Sequence, residues 1–280
     1  MDKWGFAVVL AFSMAVGLPC CGGAMNEHKL PDRLTDIPAA AWEDLAGKKI
    51  CFGHQSVGAN ILEGIKVLMQ ENPQIKLTIV ESTSSTKQAH GAFQHFRVGK
   101  NLDPNSKIAS FTQHMGLDSC RDADVAFFKF CYVDITPNTN PEALFENYRS
   151  GMKNLAVAYP RITFVHVTLP LVRRQTGLKA LIKRMSGRPV SGYEDNIVRN
   201  RYNALLLNEY GGKAPLFDLA RFEATNPDGS LELFNKNGSK YLALVPGYTY
   251  DDGHLNEAGR RVVAVALLRF LASSGLKGSR

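Results

Sequence analysis

With 280 residues, 45% of them hydrophobic and 21% charged, the chain is long enough to bury a full core and lacks the bias of a disordered or fibrous protein. Its formal net charge of +7 favours anionic partners without identifying one. The cysteines show no Cys-x-x-Cys spacing, so a zinc knuckle is excluded.

In chain order, Lys3 is followed by an uncharged apolar run to Pro19 and then by small residues through Ala24. The run is shorter than the roughly 20 residues a membrane span needs. A basic start, an apolar middle and a small-residue end read as an export signal over residues 1–24. Three forms remain open: cleavage after Ala24, lipidation at Cys21, or retention as an N-terminal anchor. All three place residues 25–280, expected as one domain, outside the cytoplasm and allow membrane attachment through the N-terminus. Past the signal stand Cys51, Cys120 and Cys131, an odd number that requires at least one free thiol or an intermolecular bond. Cys51 and Cys131 lie in apolar runs and are expected as small buried hydrophobes.

Ile50 to Phe52 opens a first strand, and Ser56 stands at the N-cap of a helix whose apolar face is Val57, Ile61, Ile65, Leu68 and Met69. Residues 75–82 read as a second strand and 82–105 as a long functional loop. The near-continuous apolar run at 123–135 suits a strand buried on both faces. A helix capped by Asn140 follows, then a buried strand at 161–172, a basic and helical segment at 173–188, and a helix stopped by Gly211 and Gly212. A short strand at 214–220 and a turn at 226–230 lead to the last helix, whose face is Val262, Val263, Ala266, Leu267 and Phe270, with Gly275 as its stop. Alternating strands and helices argue for a parallel sheet covered on both faces.

Ligands of open parallel sheets sit at the carboxyl ends of the strands. A serine at a strand-to-helix turn there lies beside the unpaired first N–H groups of the helix, which can hold a developing oxyanion. It still needs a base, and histidine suits that role. Ser56 alone reads more readily as a simple cap, and His254 alone as a surface or capping residue. Asp251, three residues before His254, can orient the imidazole and stabilise its charged form.

Asp251-Asp252-Gly253-His254-Leu255-Asn256, followed by Gly259, resembles the closing block of the SGNH/GDSL hydrolase superfamily, and Ser56 lies after the first strand as that superfamily's serine does. The resemblance spans roughly residues 48–273. It implies an α/β fold, a three-layer α/β/α flavodoxin-like sandwich with a central parallel sheet. It also implies a serine ester hydrolase needing no cofactor and no metal, with Ser56 as nucleophile, His254 as base and Asp251 as orienting acid, Asp252 being the fallback. Gly99 would supply an oxyanion N–H, with Gly91 as runner-up. Two blocks depart from the pattern. His54-Gln55-Ser56 replaces Gly-Asp-Ser, and Val133 stands where an asparagine precedes Asp134. Asn101, His54, Gln55 and Tyr132 are the candidates to replace that donor. For an envelope protein the expected substrate is a small-molecule or glycan ester, above all a carbohydrate O-acetyl group. The alternatives are an O-acyltransferase with the same triad and a non-catalytic glycan-binding or export-assembly protein. His90, His95 and His114 lack the i, i+4 spacing of a helix-borne metal pair, and His166 reads as a core residue. Arg173, Arg174, Lys179, Lys183, Arg184 and Arg188 read as a solvated helix face or an anchor for an anionic glycan. They carry too few aromatics for a nucleic-acid partner.

Overall fold

The computed structural model describes residues 34–82, 91–188, 190–273 and 276; the expected export signal and Gly275 lie outside them. The elements follow as α1 (Ala39–Gly47), β1 (Ile50–His54), α2 (Ser56–Glu71), β2 (Thr78–Glu81), β3 (Ala92–Arg97), α3 (Pro104–Met115), β4 (Val125–Phe128) and α4 (Pro141–Ala158). Then come β5 (Thr163–Phe164), β6 (His166–Val167), α5 (Gly177–Met185), α6 (Glu194–Tyr210), β7 (Leu216–Phe217), α7 (Leu219–Glu223), β8 (Leu233–Lys236), β9 (Ser239–Leu242) and α8 (Glu257–Ala272).

The central sheet runs β2-β3-β1-β4-β5, and every neighbouring pair in it is parallel. Beyond Val165 the last strand continues as β6, which pairs in parallel with β7. Side chains alternate across β1 as the pleat demands. Ile50 and Phe52 join the core under α1, α2 and α8, while Cys51 joins the core under α3, α4 and α6. This is the three-layer α/β sandwich expected. Phe52 stacks on Phe127 at 4.6 Å, and truncating such a fully buried ring costs about 3–5 kcal/mol.

Several local expectations are corrected. The supposed loop at 82–105 contains β3, the direct neighbour of β1. Buried Gln94 and half-buried His95 interrupt its apolar run and hide the strand from a composition-based reading. The apolar run at 123–135 is a strand only to Phe128, after which the chain crosses the sheet's end and closes a 3-10 turn at Tyr132–Asp134. Cys51 is not a lone hydrophobe, because it forms a disulfide with Cys120 across a sequence separation of 69. Among the described residues, Cys131 is a free, buried thiol. Ser56 is the first residue of α2 rather than its cap: Gln55 holds the cap position without a capping hydrogen bond. Asn140 caps α4 as expected, accepting from the Ala143 N–H at 2.9 Å.

Candidate active site

Three loops meet at the carboxyl ends of β1, β3 and β4. The first carries Ser56, half-buried at the start of α2. Because no side chain caps α2, the N–H groups of its first turn face this end of the sheet without a capping acceptor. They also lend it the positive end of the helix dipole.

Asp251 and His254 face this turn from the far end of the chain. His254 Nδ1 lies 2.6 Å from Asp251 Oδ2. The carboxylate can only accept, so Nδ1 carries the hydrogen and Nε2 is left as the basic lone pair. The other oxygen of Asp251 accepts the N–H groups of His254 at 2.7 Å and Gly253 at 3.2 Å. Slight burial opposes the charge on Asp251, but the His254 ring and these N–H groups outweigh it and hold the carboxyl below its ordinary value. Asp252 is engaged elsewhere, accepting Arg173 Nε at 2.7 Å, so the fallback pairing does not form.

One hydrogen bond positions the His254 loop over α2. The Leu255 N–H donates to Asn60 Oδ1 at 3.2 Å, and Asn60 lies one helical turn beyond Ser56 on the same face. Ser56 and His254 make no direct hydrogen bond; without ligand, such contacts are commonly open and tighten in the reactive complex. The Tyr132 hydroxyl approaches the edge of the imidazole, 3.3 Å from Nδ1 and 3.5 Å from Nε2. Burial first, and then the Asp251 charge, push the Tyr132 phenol up to about 12, so it stays neutral and able to donate.

The departures from the superfamily pattern have distinct fates. His54 is buried: Nδ1 bonds the Gln55 carbonyl at 2.7 Å and Nε2 meets His95 Nδ1 at 3.1 Å. Burial, assisted by the charges of Lys129 and Arg97, pushes His54 down to about 3, so the ring is neutral. Gln55 directs its amide nitrogen to the carbonyls of Val98 and Gly99 at 2.9 and 3.0 Å. Neither residue has a donor left for an oxyanion, so as oxyanion donors both are corrected: they are braces. Gly58 completes the brace, since a Cβ there would lie 2.3 Å from the His54 Cβ.

Asn101 is free to donate. Its Oδ1 accepts from Lys107 Nζ at 3.0 Å, which turns its amide NH2 outward with no protein partner among the described residues. Lys107 is fully buried and forms a 2.5 Å ion pair with equally buried Asp134. Asp134 also accepts the N–H groups of Cys131 at 2.7 Å and Leu102 at 3.0 Å, tying the loops after β3 and β4 together. Gly99, at φ +52, sits where a Cβ would lie 2.6 Å from the Lys107 backbone nitrogen, so the tight turn requires glycine. Gly91 immediately precedes β3, at the opposite end of the sheet, which removes it as an oxyanion candidate.

The histidines weighed as metal ligands do not converge. His95 faces His54 on the α2 side, whereas His114 stacks on Phe96 at 3.9 Å on the other, and His90 lies outside the described residues. His166 is a satisfied core residue, 2.8 Å from the Tyr148 hydroxyl. Sequence reasoning missed Asn60, Lys107 and Arg199. Asn60 left a signal, being a polar residue on the apolar face of its helix. Arg199 left none; it is buried and holds the Tyr132 turn through the Tyr132 and Ile135 carbonyls.

No family model and no curated protein sequence matches the chain. Solved structures similar to it include a GDSL-like lipase from Bacteroides thetaiotaomicron, 14% identical, covering 83% of this chain and 94% of that one at a TM-score of 0.48. A candidate acylhydrolase from Bacteroides fragilis is 15% identical, covering 85% and 95% at 0.48. The periplasmic domain of a lipopolysaccharide acetyltransferase from Salmonella ser. Paratyphi A is 14% identical, covering 82% and 86% at 0.41. With identities this low and TM-scores below 0.5, these likenesses assign neither a family nor an activity to the chain. The parallel three-layer α/β sandwich implied by the SGNH/GDSL resemblance is the fold observed.

Proposed function

We propose that the chain is an exported serine esterase. Ser56 Oγ attacks an ester carbonyl while His254 Nε2 takes its proton, and Asp251 holds the Nδ1–H and stabilises the imidazolium. The Ser56 and Gly99 N–H groups and the Asn101 amide donate to the tetrahedral oxyanion. The alcohol leaves with the proton from His254. Water, deprotonated by the same ring, then releases the acyl group. A carbohydrate O-acetyl ester suits an envelope location, which the Cys51–Cys120 disulfide supports, since such bonds persist in oxidising compartments.

The observation that carries this function is the 2.6 Å Asp251–His254 pair on a loop pinned to the helix that begins with Ser56. Fluorophosphonate labelling and turnover of p-nitrophenyl esters and acetylated sugars test it. Wild type should label and hydrolyse, and Ser56→Ala should do neither. A wild-type protein silent in both assays from short to long acyl chains would remove the esterase assignment and leave a non-catalytic binding protein.

A further inference from the structure

Helix α5 is turned inside out. Leu178, Leu181, Ile182 and Met185 recur at the spacing of a single helix face, yet they are 72%, 52%, 56% and 80% exposed. Polar Lys183 lies more deeply, its ammonium 2.8 Å from Gln175 Oε1. Among the described residues, α5 packs extensively against no other helix or strand. The other large exposed apolar side chains, such as Val67, Val157 and Tyr250, are scattered singly, which is ordinary for a surface. Four on one face of one helix is a patch, and patches of this kind mark interaction sites.

The charge around the patch selects the partner. Residues 173–188 carry six basic side chains and no acidic one; Arg173 and Arg174 are paired with Asp252 and Glu232, which leaves Lys179, Lys183, Arg184 and Arg188 without a carboxylate of their own segment. An apolar helix face in a segment of this net positive charge suits the boundary between anionic lipid headgroups and acyl chains. A soluble anionic glycan would engage the cations but leave four apolar side chains in water. The segment is also leashed to the candidate site. Arg173 N–H donates to the Asp252 carbonyl at 2.7 Å, next to Asp251, while Gln175 N–H donates to the Ser191 carbonyl at 3.0 Å and closes the segment on itself.

We infer that α5 seats its Leu178, Leu181, Ile182 and Met185 face in the surface of an anionic bilayer, and so holds the Ser56–His254 end of the sheet against the membrane. This docking does not depend on the triad being active, and its test reads no turnover.

The apolar N-terminal stretch of the full chain can bind vesicles by itself, so the readout belongs in α5. Leu181→Trp, at an exposed position, adds a fluorophore there, with wild type supplying the background of the native tryptophans. Vesicles of phosphatidylcholine, alone or with one quarter phosphatidylglycerol, are titrated in. The inference expects a blue shift and quenching by brominated lipid with the anionic vesicles. Adding Lys179→Gln and Arg188→Gln should raise the lipid needed for half effect by about tenfold or more, on the basis of about fivefold per surface charge. Absence of a shift with anionic vesicles overturns it, as does an equal response to neutral vesicles that ignores the charge changes. A lipid-independent shift that grows with protein concentration and vanishes in Met185→Ser also overturns it, because a second copy would then cover the face.

Discussion

The buried Lys107–Asp134 pair permits a worked prediction. Lys107→Met keeps the length of the side chain and removes its charge, leaving a carboxylate with no counter-ion in a site where both partners are fully buried. Breaking such a pair from one side costs about 3–5 kcal/mol. The destabilisation should therefore lie at about 4 kcal/mol at neutral pH. Urea unfolding followed by circular dichroism measures it. With a slope of about 3 kcal/mol per molar, the midpoint should fall by about 1.3 M at pH 7. Lys107→Met/Asp134→Asn should recover about half of the loss, because Asn can still accept one of the two backbone N–H groups. A loss under about 1 kcal/mol at pH 7, or strict additivity of the two changes, would refute the reasoning.

Asn101→Ala should lower kcat for ester hydrolysis by about 10²–10³ while leaving the urea midpoint within about 0.5 M, since it removes one oxyanion donor at an exposed position. Breaking the disulfide by Cys51→Ala/Cys120→Ala should cost about 4 kcal/mol from loop entropy, a drop on the order of 10 °C in a melting scan; an unchanged Tm would contradict the bond. His54 is depressed to about 3 in the folded chain, against about 6.5 unfolded. Its contribution is thus fully present above pH 6.5 and is lost as the pH falls towards 3, at up to about 1.4 kcal/mol per unit. Stability measured from pH 6.5 to 4.5 should fall by about 2–3 kcal/mol more in wild type than in His54→Leu, and parallel curves would exclude His54 as the source.

The layered fold was readable in the sequence because buried parallel strands leave long apolar runs and helices leave a 3.6-residue repeat. The Asp251–His254 pair was readable because its partners lie three residues apart and meet within one turn. What failed to show was built from long-range polar contacts. β3 hid behind Gln94 and His95, whose burial depends on neighbouring strands. The β8–β9 hairpin was passed over, although Asn237-Gly238 sits at its turn. The assignment of Asn101 over His54 and Gln55 as the free donor turned on which amide and imidazole nitrogens were already occupied, and spacing carries no record of that.

Asp134 gathers Lys107, the Cys131 N–H and the Leu102 N–H around one carboxylate. The loops after β3 and β4 thereby share one buried anchor, so a substitution at that anchor loosens both together. The chain just after β6 stands apart from that anchor, and Arg173 ties it to the Asp251–His254 loop through Asp252. Substitutions at Leu181 or Arg188 should therefore leave both the Asp134 anchor and the Asp251–His254 pair in place.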